Sequence, residues 1–277
     1  MEMVKAKVIM LLLCVSALTG YAQEYEWSSV KMDGTRIGCD PTNEDLFKAF
    51  GRFLEDGSYL APNGKEYAGS SSVAAVASCV HAAQPAMAKV KTVIAYSEKE
   101  MQHRSHECPL SNWFVNIVMD KVSSLSGKKV DVGIANFGGI RMNMPDGNVI
   151  LDDILSMFPF KNNVVYIAHK GSELRKIFEK MAATRFQIVG GVEILAENGK
   201  LSKVMIGGEP LDDDRTYNVA TISFLLHGGD NLTLAENSLE LVQYDVLIVD
   251  AVLEYLETLK AEGKVITPPE VNYVTVK

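Results

Sequence analysis

From Val93 onward short β-branched runs mix with runs that carry apolar residues at helical spacing, without internal repeats. "KTVIAYS", "VDVGIAN", "NVVYIAHK" and "TYNVATISFLL" read as strands, because β-branched and aromatic side chains suit a pleated, buried surface. "SNWFVNIVMDKV" from about Ser111, "LDDILSMF", "GSELRKIFEKMA" and "DVLIVDAVLEYLETLKAEG" read as helices. Asp152 and Asp153 suit the positive end of the second, Ser172 is the expected cap of the third, and Gly263 ends the fourth. "VGGVEILAENGKLSKVMIGGEPLD" reads as a hairpin turning at Asn198-Gly199. The pattern predicts α+β architecture: a single domain over residues 93–277, with a mixed β-sheet packed by helices.

The preceding stretch reads differently. Lys5 and Lys7 precede the apolar run "VIMLLLCVSAL", and "GYA" offers small residues for cleavage before Gln23, so residues 1–22 read as a signal peptide. That predicts an exported protein, periplasmic or extracellular, with a lipoprotein at Cys14 as the second reading. The run is too short for a membrane span, and nothing later approaches the needed length. Residues 23–92 read as an irregular arm with one or two helices: "EDLFKAFGRFL", capped by Thr42 or Asn43, and "SSSVAAVASCVHAAQPAMAKV", kinked or ended at Pro85.

Losing Glu2, Lys5 and Lys7 with the leader takes the net charge from −8 to −9. An acidic surface argues against a nucleic-acid polymer or an anionic membrane as partner, so an anionic small ligand needs a local basic pocket. Cys39, Cys79 and Cys108 remain after cleavage, an odd number that leaves at least one thiol free and does not say which two pair.

Chemistry concentrates at three strand ends. "NFGGIR" places Asn136, Gly138, Gly139 and Arg141 directly after a buried strand. Glycines there let a ligand approach the main chain, the amide offers donors and an acceptor, and the guanidinium suits phosphate or carboxylate. An ordinary strand-end turn has the same appearance. "MFPFKNN" adds Phe160 where a helix hands over to a strand, and "SFLLHGGDN" adds Phe224, Gly229 and Asp230. Two rings beside glycine loops, an arginine and an aspartate are the parts needed to hold a nucleoside: π-faces for the base, a carboxylate for the ribose diol, a guanidinium for phosphate.

"NFGGIR", "FPFKNNVVY", "IVGGVEI", "GEPLDDDRTYNVAT" and "SFLLHGGD" occur in an order and spacing that resembles the C-terminal, substrate-binding domain of the 5'-nucleotidase/UDP-sugar hydrolase family, from roughly Val93 to Gly263. The resemblance implies that Phe160 and Phe224 sandwich the base and Asp230 binds the ribose hydroxyls. It also implies that Asn136 touches the nucleoside and Arg141 the phosphate side. Arg104 of "RSHECPLSN" takes the role of a further family arginine, with Glu107 and Asn112 as landmarks. This chain departs from the family at Phe137, where the family has the first glycine of "GGG", and at Asn231, where it has the last glycine of "GGDG"; asparagine tolerates positive φ better than most residues. Some members bridge two cysteines near Arg104, but the partner position of Cys108 is His103 here, so that bridge is absent.

The family's other half, a metallophosphatase whose Asp, His and Asn ligands hold two metal ions, has no counterpart motif in these residues. His103, His106 and Glu107 of "HRSHE" are the nearest approach to metal ligands, but a solvated polar turn fits them better. The expectation is therefore a nucleotide-binding component without catalytic residues or cofactor of its own. It would position a nucleoside monophosphate for hydrolysis by a separate metallophosphatase chain that carries the divalent metals. The alternative is a non-catalytic binder of nucleosides or nucleotides outside the cytoplasmic membrane; both need the same pocket.

Overall fold

The computed structural model describes residues 50–277. The expected leader and most of the expected first helix lie outside them. The described residues divide into two compact units, one ending at Ala77 and one spanning Ser78–Lys277. In the first, strands β1 (Arg52–Phe53), β2 (Tyr59–Leu60) and β3 (Glu66–Tyr67) form an antiparallel sheet. Its small core joins Tyr59 and Ala61 to Ala74 and Ala77 of helix α1 (Ser72–Met87), which continues for two residues past Pro85. The run "GRFL" is not helical as expected: Gly51 has φ +67 and Arg52–Phe53 is strand.

The second unit holds the expected mixed sheet. Its five strands lie in the order β13 (Glu240–Leu247), β7 (Asn163–Lys170), β12 (Thr216–Ile222), β5 (Val132–Ala135), β8 (Ile188–Gly190). β12 and β5 are parallel, and the other neighbours antiparallel. β5 is buried at all four residues and β7 from Val164 to His169, which is why both read as continuous apolar runs. Helix α2 (Pro109–Ser126) crosses β5, β7, β8 and β12, burying Leu110, Phe114, Val118 and Val122. It starts two residues before Ser111, with Pro109 in the first turn, where its missing N–H costs nothing.

A second sheet, in the order β11 (Glu209–Pro210), β10 (Lys200–Ile206), β9 (Val192–Glu197), β14 (Val274–Val276), contains the expected hairpin, with Asn198 and Gly199 both at positive φ. β4 (Val93–Ser97) pairs with β6 (Gly147–Ile150). Asp153 of helix α3 (Leu151–Met157) accepts a hydrogen bond from the Ile150 amide at 2.6 Å, as its acidic start predicts. Helix α5 (Ile248–Ala261) is followed by Gly263 at φ +66, but it does not close the chain; β14 does, lying parallel to β9.

Helix α4 (Gly171–Ala183) corrects one expectation. Lys170, not Ser172, occupies the cap position, without a side-chain cap bond. The first amides are met by main chain instead: Gly171 N donates to Arg215 O and Ser172 N to Asp213 O, at 2.8 and 3.0 Å. The acidic stretch 212–214 thus docks on the positive end of α4. A Cβ at Gly171 would stand 1.9 Å from Asp212 O, so Gly171→Ala is expected to lower stability by about 1–3 kcal/mol through forced displacement, read by chemical denaturation.

Candidate functional site

The sheet register brings the three ligand-type segments to one edge. β5 and β12 are parallel, with Val132 beside Val219, so the segments leaving their C-terminal ends emerge on the same side. Ile222, the last residue of β12, faces Val164 at the start of antiparallel β7, which places the segment entering β7 there as well. Asn136, Phe224 and Phe160 therefore belong to one end of the sheet, outside the carboxyl ends of its two parallel strands, where ligands bind in open α/β sheets.

After β5, Asn136 is extended and only 5% exposed, and Phe137–Gly139 form a single 3-10 turn. The Asn136 side chain reaches across to the other loop: its Nδ2 donates to Asp230 Oδ2 at 2.9 Å. Its Oδ1 is buried with no partner among the described residues. A Cβ at Gly139 would come within 2.8 Å of that oxygen, so the second glycine keeps the acceptor clear. Arg141 is fixed at its main chain by a bond from its amide to Met157 O at 2.9 Å. Its exposed guanidinium reaches toward Gly138 O and lies 5.8 Å from the centre of the Phe160 ring.

The two aromatics have outward-turned rings. Phe158 is buried and stacks on Phe114 at 4.8 Å, while Phe160, two residues on, is 45% exposed. Phe224 sits in a 3-10 turn beside buried Leu225 and Leu226, yet is itself 45% exposed. Ser223 Oγ accepts the Asn163 amide at 3.0 Å, tying the segment that bears Phe160 to the one that bears Phe224. Exposed rings on tethered main chain are available to a flat ligand without displacing core contacts.

Asp230 is presented by a strained turn. Asp230 and Asn231 both adopt left-handed backbone, with φ +47 and +61, so the asparagine at the departing position holds the geometry that glycine takes most freely. Gly229 lies against the aromatic: a Cβ there would meet Phe224 O at 2.1 Å and its ring at 2.8 Å.

Arg104 comes from a different segment, ahead of α2. It is exposed, and its Nη2 lies 3.4 Å from Gln102 Oε1. Its segment is nonetheless held to the one after Arg141, because Met101 and Met144 form a bridge and the His103 amide donates to Asn143 Oδ1 at 2.8 Å. Burial, and then the positive charge of Arg141, hold the His103 imidazole below its usual pKa. Asn143 and Ser223, which tie these segments together, carry no sequence signal beyond being polar.

Glu107 is structural. Its carboxylate accepts the Tyr273 and Val274 amides at 2.5 and 2.6 Å and the Asn112 side chain at 2.9 Å, anchoring β14 to the start of α2. With both oxygens engaged it does not fit a metal site with His103 and His106, and among the described residues no group of three His, Cys, Asp or Glu is placed to hold an ion. Cys108 is a buried free thiol and Cys79 an exposed one; Cys39 lies outside the described residues.

The family of 5'-nucleotidase C-terminal domains matches residues 86–237, just over half of the 277. The chain belongs to that family. Protein UshA of Salmonella pullorum is 28% identical over 152 residues, covering 52% of this chain and 28% of its own. The 5'-nucleotidase of Vibrio vulnificus is 32% identical over 114 residues, 39% of this chain and 21% of its own. The chain thus spans less than a third of these relatives. The crystal structure of a 5'-nucleotidase precursor from Thermus thermophilus shares the fold, with a TM-score of 0.63 at 24% identity over 73% of this chain and 43% of that one. NAD nucleotidase of Haemophilus influenzae does so at 0.56 and 15% identity, over 79% of this chain and 48% of that one.

As a 5'-nucleotidase C-terminal domain, the chain is of a substrate-binding type. Phe137, in the family's first glycine position, is only 4% exposed and points into the main core. The extra ring is absorbed by packing and leaves Asn136 free to reach Asp230. Among the described residues no helix is long and apolar enough to cross a membrane.

Proposed function

We propose that this chain binds a nucleoside monophosphate between Phe160 and Phe224 and presents its phosphate, beside Arg141, to a metallophosphatase on a separate chain. The observation that carries the reading is the Asn136–Asp230 hydrogen bond, which joins two loops under a pair of outward-facing rings. In this reading Asp230 accepts the ribose hydroxyls, and the vacant Oδ1 of Asn136 accepts a donor of the nucleoside. Gly138, Gly139 and Gly229 keep the main chain open to the ligand, and Arg104 adds positive charge at the phosphate side. The partner supplies the metals; this chain supplies position. The apolar leader at residues 1–22 supports export to the periplasm or beyond.

Stacking contributes about 1–3 kcal/mol per base and a charged hydrogen bond roughly 1.5–3, so before ordering costs the gross is ~2.5–6 kcal/mol, which puts binding at tens of micromolar or weaker. Phe160→Ala and Phe224→Ala are each expected to weaken adenosine by about 1–3 kcal/mol, read by calorimetry. A 1:1 mixture with the metallophosphatase of a neighbouring gene is expected to hydrolyse AMP faster than that phosphatase alone. An unchanged rate would leave binding intact and remove the partnership.

A further inference from the structure

A cavity of about 490 Å³ lies where the start of α2, the end of α4, β8 and β14 converge. None of Asn136, Arg141, Phe160, Phe224 and Asp230 lines it. Its size falls within the roughly 300–1,000 Å³ of small-molecule pockets, and such pockets pair apolar walls with a few placed polar groups. The walls here are Phe137, Met181, Phe186, Ile188, Val189 and Val274.

Two polar groups stand among them. Asn112 is 2% exposed, and its Nδ2 donates to Glu107 Oε1 and Val271 O at 2.9 and 3.0 Å. Those two bonds fix which end of the amide is which, and they leave Oδ1 buried without a partner among the described residues. A buried carbonyl oxygen with no donor is unfavourable, and a ligand donor in the cavity would relieve that cost. Arg185, also in the lining, is exposed and gives one bond, from Nη2 to Ser105 O at 2.6 Å. No carboxylate pairs with it among the described residues, so its remaining donors are open to an anion.

We propose that this cavity is a second small-molecule site, for a largely apolar molecule carrying one hydrogen-bond donor and one anionic group. The donor meets Asn112 Oδ1, the apolar body fills the space beside Phe137, and the anion pairs with Arg185. Both Glu107 oxygens already accept bonds, from the amides of the C-terminal segment and from the Asn112 side chain, and neither pairs with Arg185. The chain's net charge of −8 makes Arg185 the local group that admits an anion.

The test uses two fluorescent probes on the full chain, 1-anilinonaphthalene-8-sulfonate and N-phenyl-1-naphthylamine, which share the aromatic body and N–H but differ in the sulfonate. Both are expected to saturate at one per chain. Ala182→Phe, which fills the cavity from α4, is expected to weaken both by about tenfold or more, and Arg185→Ala the sulfonate alone by about tenfold. Arg185 is on the surface, so its variant keeps the test decisive if Ala182→Phe fails to fold. Absence of saturable binding, or equal affinities in the wild type and both variants, overturns the proposal. So does an Arg185→Ala loss shared equally by the two probes.

Discussion

Arg141→Ala is expected to weaken AMP binding by about 10- to 150-fold while leaving adenosine nearly unchanged, the equivalent of one charged hydrogen-bonding group at roughly 1.5–3 kcal/mol. The selectivity follows from placement. The Arg141 main chain is pinned to Met157 and its guanidinium lies 5.8 Å from the centre of the Phe160 ring, so in the proposed complex it stands beside the base and is available to the phosphate. Arg141→Lys keeps the charge but loses the planar fork, and should retain only part of the AMP preference. Raising salt should erode the same preference, because an exposed charge is screened. Equal losses for the two ligands would assign Arg141 to the fold of the loop instead of to phosphate.

Gly229→Ala should behave in the opposite way, weakening adenosine and AMP alike by about 1–3 kcal/mol. The added methyl would stand 2.1 Å from Phe224 O and 2.8 Å from its ring, both closer than atoms pack. One of two things must move: the Phe224 ring, or the turn that holds Asp230. In the proposed complex either would remove a nucleoside contact, and neither would touch the phosphate side. The two variants together separate base-and-ribose binding from phosphate binding, and chemical denaturation of each variant separates both from general loss of the fold.

Much of this was legible before any coordinates. The runs that became β5, β7 and β12 are buried on both faces, so composition alone marks them. The turn at Asn198-Gly199 declares itself through its residue types. β13 was missed because its burial is poor: "ELVQYDVL" sits at a sheet edge and carries Glu, Gln and Asp among its apolar residues. β14 was missed because three residues carry no periodicity; it is held by Glu107, a residue more than 160 positions earlier. Ser172 misled because a serine after a glycine resembles a cap, while the helix already starts at Gly171, with the amides of Gly171 and Ser172 taken by the carbonyls of residues 215 and 213.

The candidate site shows the same division. Its parts were readable as residue types at strand ends only in combination, since glycines with an arginine also make an ordinary turn, while two aromatics and an aspartate beside such loops are the parts of a nucleoside site. Their assembly was not: it depends on which strands are neighbours and on the parallel register of β5 and β12. The hydrogen bond between Asn136 and Asp230, 94 residues apart in sequence, is a product of that register. The cavity beside Phe137 left no trace at all, because its walls come from segments that are individually ordinary.

The most direct test of the central claim is calorimetric titration of the chain from Gln23 onward, free of metal, with AMP and with adenosine. The account predicts saturable one-to-one binding of both, AMP the tighter, with no phosphate released. Failure of both ligands to bind at millimolar concentration would contradict it.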